Sequence, residues 1–147
     1  MTVPRKLSMR DGKLCQQPVH EIERMRGDCV CATGGETVEE PGRLFDLVVS
    51  CEGAQVIELE IRKGVFVRYA DGMLTLDMGD EGYGRDQRSI ELSELRDLRV
   101  LSDTTMVEIF ANGGEAALTS RTYSPAVPAM ELHAEGAASM NFYRLVH

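Results

Sequence analysis

Apolar and polar residues alternate along most of this chain, the mark of strands that turn one face to a core. Ile57, Leu59 and Ile61 interleave with Glu58, Glu60 and Arg62. Val65, Val67 and Tyr69 follow, and beyond Asp71-Gly72 another run sets Leu74, Leu76 and Met78 against Thr75 and Asp77. Asp-Gly between alternating runs predicts a tight hairpin. Residues 98–102 and 106–111 form two later runs, after which Asn112-Gly113-Gly114 leads into a return strand over 115–123. That turn needs residues that tolerate positive φ. Further strands are expected over 29–33, 44–51, 89–92, 129–133 and 138–146. Roughly a dozen short strands punctuated by Gly, Asp and Pro predict an all-β fold, an antiparallel β-sandwich of two sheets.

The N-terminal segment reads differently. Residues 6–10 and 13–17 flank Asp11-Gly12 as a separate β-hairpin, and Val19, Ile22 and Met25 fall three apart in a short linker helix stopped by Gly27. The predicted organisation is a hairpin over 1–18, a linker helix over 19–27 and a sandwich over 28–147. Alternation nominates a core of Leu47, Val49, Ile57, Leu59, Ile61, Val65, Val67, Leu74, Leu76, Val107, Ile109, Leu118 and Leu145. Phe45, Phe66, Tyr69, Phe110, Phe142 and Tyr143 lie in apolar runs and are expected there too.

Charge sharpens this division. Over 147 residues the chain has 16 Lys/Arg against 24 Asp/Glu, a net −8, which argues against a nucleic-acid partner because counterion displacement needs a basic face. Residues 1–26 nevertheless carry six Lys/Arg and three Asp/Glu, and the rest of the chain carries ten and twenty-one, so the hairpin and linker stand in different surroundings from the sandwich. No run approaches the roughly 20 apolar residues of a membrane helix, and the opening residues lack the apolar stretch of a signal peptide. A cytoplasmic chain without a membrane partner is therefore expected.

The usual chemical constellations are missing. The sequence contains no G-x-S-x-G, P-loop, H-E-x-x-H or G-x-G-x-x-G. The acidic loop over 77–86 fails the EF-hand pattern, with Gly79 at its third position and Arg88 at its twelfth, and reads as a solvated turn. Cys15, Cys29, Cys31 and Cys51 lack zinc-site spacing, and are expected to be free and mostly buried thiols with no metal or other cofactor. Most acidic residues alternate with apolar ones on strands, so no carboxylate pair is singled out for glycoside chemistry. With no Trp in the chain, Tyr83 in the Gly-rich loop is the candidate for a weak carbohydrate contact.

Two blocks resemble a known family. Residues 2–21, TVPRKLSMRDGKLCQQPVHE, are similar to the stretch that ends the catalytic propeller of family 32 glycoside hydrolases, which include invertases, levanases and sucrose-6-phosphate hydrolases. Residues 98–115, LRVLSDTTMVEIFANGGE, followed by Thr119-Ser120-Arg121-Thr122-Tyr123, resemble the hallmark of that family's C-terminal β-sandwich. The departures are Thr105 where Ser is usual, Met78 where Arg is common, and Ser124 between Tyr123 and Pro125. The family's catalytic motifs W-M-N-D-P-N-G, R-D-P and E-C do not occur, since Arg10-Asp11-Gly12 is a hairpin turn and Cys51-Glu52 has the reverse order.

The resemblance implies a non-catalytic C-terminal module of a retaining β-fructosidase, begun inside the last propeller blade, with the catalytic propeller as its partner. Asp103, Glu108, Phe110, Asn112, Gly113 and Arg121 then form a structural signature, in which Asn112 holds the turn and Glu108 faces outward or bonds a neighbouring strand. Two other classes of function are open at this point: a lectin-like module for fructan or sucrose, and a self-standing oligomerisation protein. The unpaired edge of residues 1–18 predicts a homodimer through Leu7, Met9 and Leu14.

Overall fold

The computed structural model of the protein describes residues 3–79 and 87–146. Among them fifteen strands run β1 (Arg5–Arg10), β2 (Lys13–Pro18), β3 (Arg26–Thr33), β4 (Thr37–Glu39), β5 (Phe45–Ser50), β6 (Val56–Arg62), β7 (Val65–Ala70) and β8 (Met73–Asp77), and continue below. The second half holds β9 (Gln87–Glu91), β10 (Asp97–Ser102), β11 (Met106–Ala111), β12 (Ala116–Arg121), β13 (Ala129–Glu131), β14 (His133–Glu135) and β15 (Ser139–Leu145). A six-stranded sheet in the order β12-β11-β10-β5-β15-β3 and a five-stranded sheet in the order β14-β6-β7-β8-β9 are both antiparallel throughout. The pair β4-β13 and the hairpin β1-β2 are separate.

Alternation puts the core between the two large sheets. β7 and β8 are buried at every second residue, and Leu47, Val49, Ile57, Leu59, Ile61, Val65, Val67, Leu74, Leu76, Val107 and Ile109 all lie inside. Phe45 and Phe142 meet at the centre with ring centroids 5.2 Å apart. Two expected core residues are only half-buried. Leu118 packs against the margin of the cluster from the edge strand β12, and Leu145 follows a register shift in β15 that turns it out of phase with Met140 and Phe142.

The turns explain the hairpins. Asp11 and Gly12 have φ of 51° and 76°, and Asp71 and Gly72 have 52° and 70°, the left-handed pair whose twist matches antiparallel strands. The linker is a 3-10 helix at His20–Met25, and its spacing of three between Val19, Ile22 and Met25 is the period of that helix.

Some sequence expectations need correction. The strand expected over 129–133 breaks at Leu132: β13 pairs with β4, an element the sequence pattern did not reveal, and β14 pairs with β6. Phe66 and Tyr143 are half-buried on the outer faces of the sheets, where the Arg68 and Arg26 guanidinium groups cover them at 4.3 and 4.2 Å from the ring centroids. Phe110 is buried, but on the outer face of the six-stranded sheet rather than in the core. Of the four free cysteines, Cys15 and Cys51 are buried, whereas Cys29 and Cys31 are exposed because they point outward from an edge strand.

Candidate functional site

The site begins with the phase of β11. Val107, Ile109 and Ala111 face the core, so Glu108, Phe110 and the following Asn112 must face the other way. That outer face is a socket for the N-terminal hairpin. Arg5 on β1 reaches into it: its Nη2 donates to Glu108 Oε1 at 2.9 Å and to Thr119 Oγ1 at 2.7 Å, and its guanidinium stands 5.1 Å from the Phe110 ring centroid. The Val3 N–H donates to the other Glu108 oxygen at 3.0 Å. Both carboxylate oxygens of Glu108, which is 3% exposed, are thus engaged by the N-terminal segment.

The Asn112-Gly113-Gly114 turn forms the floor of the socket. Gln17 Nε2 donates to the Gly113 carbonyl at 2.6 Å, and Arg10 donates to the Asn112 carbonyl. A Cβ on Gly114 would stand 2.1 Å from the Gln16 carbonyl oxygen, and one on Gly113 would stand 2.8 Å from the Arg10 guanidinium nitrogens. Gly113 and Gly114 also have positive φ, of 67° and 95°, so close approach and backbone conformation each require their absence of a side chain. Asn112 ties this turn to the 94–97 segment, its Oδ1 accepting from the Arg96 N–H at 2.8 Å and its Nδ2 donating to the Glu94 carbonyl at 2.9 Å. Asp97 completes the tie by accepting from the Gly113 N–H at 2.9 Å.

A second ionic cluster lies on the same face. Asp46 of β5 is fully buried, and accepts from Arg26 Nε at 2.7 Å and from Arg99 Nε and Nη2 at 2.9 and 2.8 Å. Arg99 also stands 3.7 Å from Glu23 on the 3-10 segment. The two deeply buried carboxylates of this face therefore both bind arginines, and both clusters join the N-terminal segment to the sheet.

The other expected residues fall elsewhere. Asp103 caps the β10–β11 turn, its Oδ1 accepting from the N–H groups of Thr105 and Met106 at 2.9 and 2.8 Å. Arg121 is exposed at the end of β12, opposite Met106, and takes no part in the socket. Tyr83 lies outside the described residues. Residues that the sequence pattern did not single out prove central: Arg5, Asp46 and Arg99. Alternation sets Arg62 on the outward face with Glu58 and Glu60, but Arg62 is fully buried, because a β-bulge between Glu60 and Arg62 turns it inward beside Ile61.

At one end of the sandwich two polar clefts of about 540 and 460 Å³ share Asp71, Gly72, Ser93, Glu94 and Arg96. Their one aromatic, Tyr69, is 4% exposed and donates its hydroxyl to the Leu92 carbonyl at 2.8 Å, so it offers no open ring face for a sugar to stack on. Cys51 lies buried nearby, and its burial, with Asp97 adding, raises the thiol to about 11.

This arrangement defines a β-sandwich whose outer sheet holds the N-terminal hairpin in a socket. The sequence profile described as "Glycosyl hydrolases family 32 C terminal" matches residues 65–145, and the chain belongs to that family. Raffinose invertase of Escherichia coli is 36% identical over 86% of this chain, but the match covers 29% of the invertase. Sucrose-6-phosphate hydrolase of Bacillus subtilis is 29% identical over 96% of the chain and 32% of its own length. The structure of sucrose-6-phosphate hydrolase from Lactobacillus gasseri superposes with a TM-score of 0.81 at 20% identity, covering 96% of this chain and 33% of that one. The chain thus spans about a third of these relatives' length. Among the described residues no helix is long and apolar enough to cross a membrane.

Proposed function

We propose that this chain is the non-catalytic C-terminal module of a β-fructosidase acting on sucrose or a related β-fructoside, and that it supports a catalytic propeller. The observation that carries this reading is the engagement of Glu108. The most buried acid of the β11 block is held by Arg5 and the Val3 N–H, which suits a latch and leaves no free carboxylate oxygen for proton transfer. Retaining hydrolysis requires two carboxyl groups about 5 Å apart around the scissile bond. The four free cysteines suit a reducing, cytoplasmic setting. Purified chain incubated with sucrose, and with a short fructan, is expected to release no fructose. Release proportional to chain concentration, and lost on Glu108→Gln, would overturn the proposal.

The exposed side of the hairpin is the face offered to the partner. Leu7, Met9 and Leu14 are 60%, 67% and 54% exposed, on strands that pair only with each other among the described residues. In the isolated chain a second copy is the nearest cover for this stripe, by edge pairing of β1 or β2. Sedimentation is expected to show a dimer for the chain and a monomer for the Leu7→Lys, Met9→Lys double variant. A monomeric unsubstituted chain, or a dimer that survives both substitutions, would contradict this assembly.

A further inference from the structure

Cys29 and Cys31 are two apart on β3, the edge strand of the six-stranded sheet, and therefore project from the same face. Both are exposed and free, and their sulfurs stand 3.5 Å apart. β3 pairs with β15 alone among the described residues, so its other side leaves a path of approach to the thiols. Across that pair Tyr143 lies opposite Cys29, and Asn141 lies opposite Cys31.

The separation selects a chemistry. Two bonds of about 2.3 Å to a soft centre put the sulfurs about 4.6 Å apart if the centre is linear and about 3.8 Å apart if it is tetrahedral. The observed 3.5 Å fits a bent centre and not a linear one. Direct closure to a disulfide fits less well, because two extended residues separate their Cα atoms by about 6.6 Å, near the upper limit for that bond. A single atom between the sulfurs removes this mismatch. Hydrogen bonding to Cys29, together with its charge, raises the Cys31 pKa, so Cys31 holds its proton more tightly than a free thiol does.

We propose that Cys29 and Cys31 form a dithiol site that captures a bent, two-thiolate centre, the class represented by monosubstituted trivalent arsenicals. With an arsenoxide, two As–S bonds form while both S–H bonds and the arsenic–oxygen bond break. The oxygen leaves as water with the two thiol protons. Arsenic remains trivalent, so no oxidant or reductant enters. Bidentate capture outlasts a bond to one thiol because release of one sulfur leaves the other holding the centre beside its partner.

The test uses the reduced full chain and phenylarsine oxide, read by intact mass and by peptide mapping. One phenylarsenic group per chain is expected. It resists a large excess of a monothiol, is removed by a 1,2-dithiol, and maps to the tryptic peptide of residues 27–43. Cys29→Ser and Cys31→Ser, both at exposed positions, are each expected to lose the monothiol-resistant adduct. An adduct stripped by monothiol, one that maps to Cys15 or Cys51, or one that persists in either single variant would overturn the proposal.

Discussion

Replacing Arg62 with methionine is expected to lower the stability of the chain by about 3–5 kcal/mol, because it takes the donor from several buried acceptors at once. Arg62 is fully buried at the end of β6, yet no carboxylate pairs with it among the described residues. Its guanidinium donates instead to the Ser124 carbonyl at 2.8 Å, Ser102 Oγ at 2.9 Å, the Asp103 carbonyl at 2.7 Å and the Thr104 carbonyl at 3.1 Å. These partners draw the five-stranded sheet, the end of β10 and the strand-free segment after β12 into one clamp. Burial, reinforced by the Arg43 charge and opposed by Asp103, holds the Arg62 pKa below the ordinary guanidinium value. Methionine fills the volume but leaves acceptors without donors, and each orphaned buried acceptor costs about 1–3 kcal/mol. Urea unfolding checks this, and a loss below about 1 kcal/mol would show that water replaces the clamp. Arg62→Lys is expected to recover less than half of the loss, because a single ammonium cannot reproduce a planar fork.

Leu59→Ala is expected to cost about 2–5 kcal/mol. Leu59 is fully buried in the middle of β6, opposite Val67 on β7, and the facing sheet covers it from the other side. A sheet held on both flanks closes poorly over the missing methyl groups, so the cavity contribution adds to the lost transfer energy. The midpoint of urea unfolding measures the effect. A midpoint unchanged from that of the unsubstituted chain would place Leu59 on the outer face and reverse the reading of β6.

The strand alternation was legible because a two-residue period assigns faces without knowledge of the partner strand, and the core of β5 to β8 and β11 follows from it. Asp-Gly and Asn-Gly-Gly were legible for the same local reason: only a few residues tolerate their backbone. The socket was harder to read. Phe110 looks like a core residue in a linear pattern, and its burial on the outer face depends on a hairpin about a hundred residues earlier in the chain. Arg5–Glu108 and Arg26–Asp46–Arg99 join positions whose proximity is set by topology, and charge alone cannot choose one acid among 24. β4 escaped notice because three residues are too few to show a period. Leu132 likewise concealed the break between β13 and β14, since it stays buried while its two neighbours change sheets.

The central claim is that the β11 block, with Glu108, Phe110 and the Asn112-Gly113-Gly114 turn, is a docking socket for the N-terminal hairpin. Amide hydrogen exchange on Gly114→Val tests it most directly, because a side chain there collides with the Gln16 backbone while the core is untouched. The account predicts that protection collapses across β1 and β2, and that β5, β6, β7 and β10 keep the protection they have in the unsubstituted chain. Unchanged protection of the hairpin in the folded variant would contradict it.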